Sequence, residues 1–253
     1  MSINIKTPEE IAIMAEGGKR LIEIFKTIKQ HIVPHTTLKT LDDVARKVAG
    51  QQGGSPSFLG YQNYPAAICT SVNHGIVHCI PDGYQLQVGD VISVDCGLFY
   101  KGFHTDAAVT WIVGEDIHQH QALLDNTYKS LLAGVNTVHA GVKVGKISSA
   151  IATTLQSAHL TIMKQFVGHG VGRDLHEDPV VPNFVGHDKD TVLPVGSVIA
   201  IEPIASLGRE EYETTSDHWS TFTSDQQPVA HFEMTVAVTQ DGAQIITPID
   251  QVI

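Results

Sequence analysis

Four acidic residues of this chain sit at the ends of apolar, β-branched runs. Asp95 closes Val88–Asp95, which reads VGDVISVD, and Glu202 closes Val195–Glu202, which reads VGSVIAIE. The two segments lie 107 residues apart and match in residue type at almost every position. A second pair opens strands instead: Asp106 precedes AAVT and Glu233 precedes MTVAVT. Buried Asp and Glu are rare unless paired or metal-bound. Solvated strand edges are the ordinary alternative, but the contexts IAIEP and HFEMTVAV are apolar. One histidine joins the set. His169 lies among three glycines in FVGHGVGR, and glycines let backbones approach closely. Two Asp, two Glu and one neutral His carry a formal charge that two divalent ions offset. Mostly hard oxygen with one nitrogen suits Mn, Fe, Co or Zn. Two such ions roughly 3.5 Å apart ready a water for attack at neutral pH.

Other elements must bring these groups together. Asp95 and Asp106 are 11 residues apart, with Tyr100-Lys101-Gly102 between them. On one continuous strand that odd spacing puts them on opposite faces. Across a hairpin with an even-length loop they share a face, with Cβ atoms roughly 5–8 Å apart. The repeat predicts the same for Glu202 and Glu233, with a pseudo-two-fold axis joining the pairs. From Asp106 to Glu233 the offset grows to 127, so the second half carries about 20 extra residues, placed within 208–228. That segment holds Trp219 and is expected to be a loop or hairpin at a rim, where long loops are often functional.

Thr7-Pro8-Glu9-Glu10 is a capping box with proline at the first helical position. A helix is predicted from there to His31, with Ile11, Ala15, Ile22 and Phe25 among its apolar positions. A second follows Thr37, with Leu38, Leu41 and Ala45 on one face, until Gly53-Gly54-Ser55-Pro56 breaks it. Further helices are predicted over 116–138 and 146–158. There Val144, Ile147 and Ile151 repeat the Leu38, Leu41, Ala45 pattern 106 residues on. Strands are predicted over 66–70, 75–80, 91–99, 103–112, 162–167, 197–203, 229–239 and 243–247.

The 253 residues fit a single domain, 1–253, with internal halves of about 1–112 and 113–253. A net charge of −11 argues against general nucleic-acid binding. Residues 1–50 hold 8 of the 16 Lys and Arg but 6 of the 27 Asp and Glu. Solvated helix faces explain this, and a basic docking face is the alternative. No apolar run approaches the roughly 20 residues that span a bilayer. The opening MSINIKTPEEIA lacks a basic region followed by an apolar one, so no signal peptide is expected. Cys69, Cys79 and Cys96 form no CxxC and are too few for a disulfide scaffold, which fits reduced thiols in a cytoplasm.

The ordered motifs resemble one family. They are Lys6-Thr7-Pro8-Glu9-Glu10, Leu59-Gly60-Tyr61, Tyr64-Pro65, Ser71-Val72-Asn73, Gly102-Phe103-His104-Thr105-Asp106, Gly168-His169-Gly170-Val171-Gly172, His176-Glu177-Asp178-Pro179, Ile201-Glu202-Pro203 and Phe232-Glu233. Together they resemble the methionine aminopeptidases of the type-one, bacterial kind. The resemblance implies an α+β pita-bread fold: two pseudo-symmetric halves of helices packed on an antiparallel β-sheet. It implies two divalent metal ions held by Asp95, Asp106, His169, Glu202 and Glu233, with Asp106 and Glu233 bridging. It places His78 and His176 against the substrate, and Tyr61, Tyr64, Cys69, Leu175 and Trp219 around a methionine slot. Leu175 replaces an aromatic common in relatives, and Phe58 a small residue or Cys. The interval from His169 to Glu202 is 33 residues, too short for the helical subdomain of type-two enzymes. Where the family usually reads Cys-His-Gly-Ile-Pro, this chain reads Val77-His78-Cys79-Ile80-Pro81. His78 keeps its place relative to Asn73 and Pro81. His74, four residues earlier, is the alternative candidate for that role against the substrate, and the place of His78 argues against it. His104 and His231 match no functional position and are expected to be structural.

The activity implied is removal of the initiator methionine from nascent chains whose second residue is small. Glu202 would shuttle the proton, His176 would stabilise the oxyanion and His78 the scissile amide. The implied partners are N-termini of nascent polypeptides and the ribosome, met by a monomer with no membrane contact. Two alternatives belong to the same fold: a proline-directed peptidase, which carries an additional N-terminal domain, and a non-catalytic binding protein, which loses ligands.

Overall fold

The structure is a computed structural model and describes residues 3–253; Met1 and Ser2 of the opening segment lie outside the described residues. Helix α1 (Pro8–His31) begins with the expected capping box: Glu10 N–H donates to the Thr7 hydroxyl, and Thr7 N–H donates to the Glu10 carboxylate. It buries Ile11, Leu21, Ile22, Phe25 and Ile28. Ala15 is only half-buried, because Met14 takes that place in the apolar stripe. Helix α2 (Leu38–Gln51) is capped by Thr37 and buries Leu38, Leu41 and Ala45. Helices α3 (Gln121–Val135) and α4 (Val144–Ser157) form the second pair, with Val144, Ile147 and Ile151 buried. The predicted start at 116 is five residues early for a physical reason. The Asp116 carboxylate accepts N–H bonds from His120 and Gln121 at 2.8 and 2.9 Å, which turns the chain just before α3.

The helices pack on a nine-stranded sheet whose recorded pairings are all antiparallel. Across it run Ser55–Pro56, Val91–Tyr100, Phe103–Ile112, Glu233–Val238, Val198–Ile201, Gly168–Gly170 and Glu177–Val181. Ile68–Val72 also pairs with Val91–Tyr100, and Ala243–Ile245 with Glu233–Val238. Side chains alternate between the two faces of a strand. Val94, Cys96, Val109, Trp111, Ile201 and Val236 lie in one core with Leu21, Ile22 and Phe25 of α1. Each such apolar side chain contributes about 1.5–3 kcal/mol by leaving water. Asp95, Asp106, Glu202 and Glu233 have the opposite parity and therefore project from the other face.

The register explains how the carboxylates meet. The hairpin over 91–112 turns at Lys101 (φ 48°) and Gly102 (φ 90°), the left-handed pair a two-residue turn requires. Asp95 lies opposite Ala108 and Asp106 opposite Gly97, so the two carboxylates are diagonal neighbours on one face. Next, Glu233 pairs with Ala108. Thr235 meets Asp106: its hydroxyl donates to the Asp106 carbonyl at 2.8 Å and accepts the Asp106 N–H at 3.0 Å. A shift of 127 residues carries Asp106 onto Glu233 and Ala108 onto Thr235. Exchanging the two strands therefore returns the same register, and the pseudo-two-fold axis runs between them.

Four strand expectations differ from the structure. Residues 75–80 form a loop rather than a strand. Ile76 N–H donates to the Thr221 carbonyl, Thr221 Oγ1 donates to the Val77 carbonyl, and Ile80 N–H donates to Ser220 Oγ. His78 has φ 58°, outside any strand conformation. The predicted strand 162–167 shrinks to Thr161–Ile162. The run 197–203 shortens to Val198–Ile201, before the bend at Pro203, and the run 229–239 divides at Phe232. On the far side of the bends, Ile204–Ser206 and Val229–His231 pair in a small sheet with Thr161–Ile162. The inserted segment is a hairpin, Tyr212–Thr214 with Thr221–Thr223, and carries Trp219 near its turn. Among the described residues no helix is long and apolar enough to cross a membrane.

Candidate metal centre and active site

The residues singled out in the sequence line one cavity of about 410 Å³: Tyr61, Tyr64, Cys69, His78, Asp95, Asp106, His169, His176, Glu202, Trp219 and Glu233, with Phe58 and Leu175. At its floor, Asp106, His169 and Glu233 each bring one donor atom within 4.8 Å of the others. Two strand glycines make the approach of His169 possible. A Cβ on Gly168 would stand 2.3 Å from the Ala200 carbonyl oxygen, and one on Gly170 2.2 Å from that of Asp178. His169 Nδ1 lies 2.8 Å from the Gly170 carbonyl, so it carries the proton and Nε2 keeps its lone pair. That lone pair faces Glu202 Oε1 at 3.7 Å.

The buried carboxyls can be ionised together only with a cation among them. Burial pushes the pKa values of Asp95, Glu202 and Glu233 well above the ordinary carboxylate range, and repulsion from Asp106 adds to it. Burial raises Asp106 to about 7, although the Ala107 N–H opposes the rise. Buried Asp95 Oδ1 and Glu233 Oε1 have no hydrogen-bond partner. Among the described residues no Lys or Arg forms an ion pair with any of the four. Donor atoms that converge in a buried floor, with no Lys or Arg to pair them, fit metal ions. Oxygen donors with one imidazole suit first-row divalent ions.

Above this floor stand two more imidazoles. His176 stacks on His169 with ring centroids 4.2 Å apart, and its Nδ1 lies 2.8 Å from the Tyr61 hydroxyl. His78 presents its ring edge-on to Phe166 and Trp219 at 6.3 and 6.1 Å. Burial, then repulsion from His176, lowers the His78 pKa to about 4, so the ring is neutral at physiological pH. His74 instead stacks on Phe222 and lies outside this cavity. The apolar wall is a small cluster of its own: Phe58, Tyr64, Ala66, Cys69 and Leu175, with Tyr61 and Trp219 against it. Tyr64 meets Trp219 edge-on at 5.1 Å. Free thiols at Cys69, Cys79 and Cys96 are all buried.

Sequence patterns missed what holds His176. Lys6 and Glu177 form an ion pair whose side chains are 4% and 2% exposed. The other oxygen of Glu177 accepts the N–H groups of Arg173 and Asp174 at 2.8 and 3.2 Å, which fixes the turn leading into His176. Lys6→Met leaves a buried carboxylate unpaired and should cost about 3–5 kcal/mol of stability. The double variant Lys6→Met, Glu177→Gln should recover most of the melting temperature. Thermal melts check this, and a Lys6→Met protein as stable as the parent would contradict the clamp.

Known proteins place this geometry. Metallopeptidase family M24 matches residues 12–240. The chain belongs to that family. Methionine aminopeptidase 1 of Bacillus subtilis is 39% identical over 242 residues, which cover 96% of this chain and 98% of that protein. The methionine aminopeptidase of Escherichia coli K12 is 31% identical over 249 residues, covering 98% and 94%. The crystal structure of methionine aminopeptidase from Thermotoga maritima superimposes with a TM-score of 0.94 at 36% identity, covering 97% and 99%. The M24 fold here is thus the pita-bread fold. Xaa-Pro dipeptidase from Bacillus anthracis shares it at a TM-score of 0.77 and 22% identity, and this chain covers 62% of that one.

Proposed function

We propose that this M24 chain is a methionine aminopeptidase: a metal-dependent exopeptidase that removes the initiator methionine from chains with a small second residue. One observation carries the reading. The carboxylate–histidine floor opens directly onto an apolar slot of Tyr64, Cys69, Leu175 and Trp219 within a single cavity. An unbranched thioether fits such a slot and makes favourable contacts with aromatic rings. Asp95, Asp106, His169, Glu202 and Glu233 would hold two divalent ions, which supply Lewis acidity at the methionine carbonyl and activate water. Glu202 takes the proton and returns it to the leaving amine. His176, steadied by Tyr61, donates to the developing oxyanion, and His78 donates to the scissile amide. The enzyme works as a single catalytic domain, 1–253, a cytoplasmic monomer meeting nascent chains at the ribosome.

Specificity tests the slot and its neighbourhood together. Met-Ala-Ser should be cut well, Leu-Ala-Ser poorly and Met-Arg-Ser hardly at all, measured as free amino acid released. Equal cleavage of Met-Ala-Ser and Met-Arg-Ser would refute the small-residue rule.

A further inference from the structure

One buried imidazole beside this centre has no part in the reaction above. His231 is 2% exposed and does not border the cavity. Its Nε2 has no hydrogen-bond partner, yet it lies 3.7 Å from Glu202 Oε2 and 4.0 Å from Glu233 Oε2. The backbone beneath it is fixed from two sides. His231 N–H donates to Thr110 Oγ1 at 2.9 Å, and the His231 carbonyl accepts from the same hydroxyl at 2.7 Å. Thr110 belongs to the strand that carries Asp106. His231 also pairs with Ile204, just past the bend at Pro203. The bends at Pro203 and Phe232 thus set His231 behind the carboxylates. Glu202 lies between two imidazoles, His169 at Oε1 and His231 at Oε2.

The two rings face different tasks. His169 is committed through Nδ1 to a carbonyl and offers a lone pair at Nε2. His231 Nε2 meets the oxygens of Glu202 and Glu233, which with metal bound are ionised and only accept, so the tautomer that suits the loaded centre carries the proton on Nε2. We infer that His231 is a positioning residue: its Nε2–H restrains the rear oxygens of Glu202 and Glu233, so the donor set stays aimed at the metal site. Strand parity does not place it, because the chain bends at Phe232 between His231 and Glu233. The inference rests on the reading of the floor as a metal centre. Partners that orient metal ligands typically matter 10–100-fold in affinity.

The test is calorimetric titration of chelated protein with Mn(II), which needs no turnover. The parent is compared with His231→Leu, His231→Asn and His231→Gln. A Gln amide can reach where Nε2 stands, Leu offers no donor and Asn falls short. We expect two bound ions in the parent and a loss of about 10–100-fold in affinity for His231→Leu and His231→Asn. His231→Gln should remain within a few-fold of the parent. Parent-like affinity in His231→Asn would overturn the role, even if His231→Leu fails to fold. Affinity in His231→Gln as weak as in His231→Asn would also overturn it, pointing to the ring as a direct ligand. A parent that binds no divalent ion would overturn the metal centre itself, and this role with it.

Discussion

Glu202→Gln should lower kcat for methionine release by at least about 10²-fold, the lower range for a lost general acid–base. The substitution keeps the shape of the side chain and removes both its charge and its proton affinity. Glu202 stands where the floor of the cavity meets His169, 3.7 Å from Nε2. Its backbone carbonyl is held independently by Asn183 Nδ2 at 2.9 Å, so the strand end should stay in place. Steady-state kinetics at saturating metal would read the effect. A variant within a few-fold of the parent would remove Glu202 from the proton path.

Asp106→Asn should abolish most of the activity and, in the metal-free protein, raise stability above neutral pH. The first effect follows from the loss of a donor shared by the whole cluster, again at least about 10²-fold. The second follows from linkage. Asp106 is lifted to about 7 in the folded protein, from an ordinary value of 3.8. A raised carboxyl favours the fold while protonated, and that contribution disappears as pH rises through the folded value. His78, His169 and His231 act in the opposite direction, since burial lowers their pKa values below 6.5. In the unfolded chain they are half protonated near pH 6.5, and they are neutral in both states about a unit above that. Between about pH 7.5 and 8.5 the carboxylates therefore set the slope. Chelated parent should lose melting temperature across that interval, and Asp106→Asn should lose less. A melting temperature that rises with pH in chelated parent would contradict the carboxylate directions.

Much of this site was legible because strand parity is a strict rule. Asp95, Asp106, Glu202 and Glu233 could be placed on one face from spacing and repetition alone, and the β-register carries them there. The glycines around His169 likewise announced a close backbone approach. The loop over 75–80 was not legible. Its apolar residues read as a strand, but their hydrogen bonds go to Thr221 and Ser220, about 140 residues away. Lys6 was equally hidden. Its partner Glu177 lies 171 residues on, and no local pattern reveals a buried ion pair over that distance. His231 looked structural because the bend at Phe232 that sets it behind Glu202 is a tertiary feature. Short strands such as Gly168–Gly170 escape periodicity because three residues cannot show one.

The most direct test is methionine release from Met-Ala-Ser by chelated protein as Mn(II) is added stepwise to two equivalents. Release should be absent at the start, rise with added metal and level off as the second ion is bound. Full release from protein shown to be free of metal would contradict the dinuclear centre.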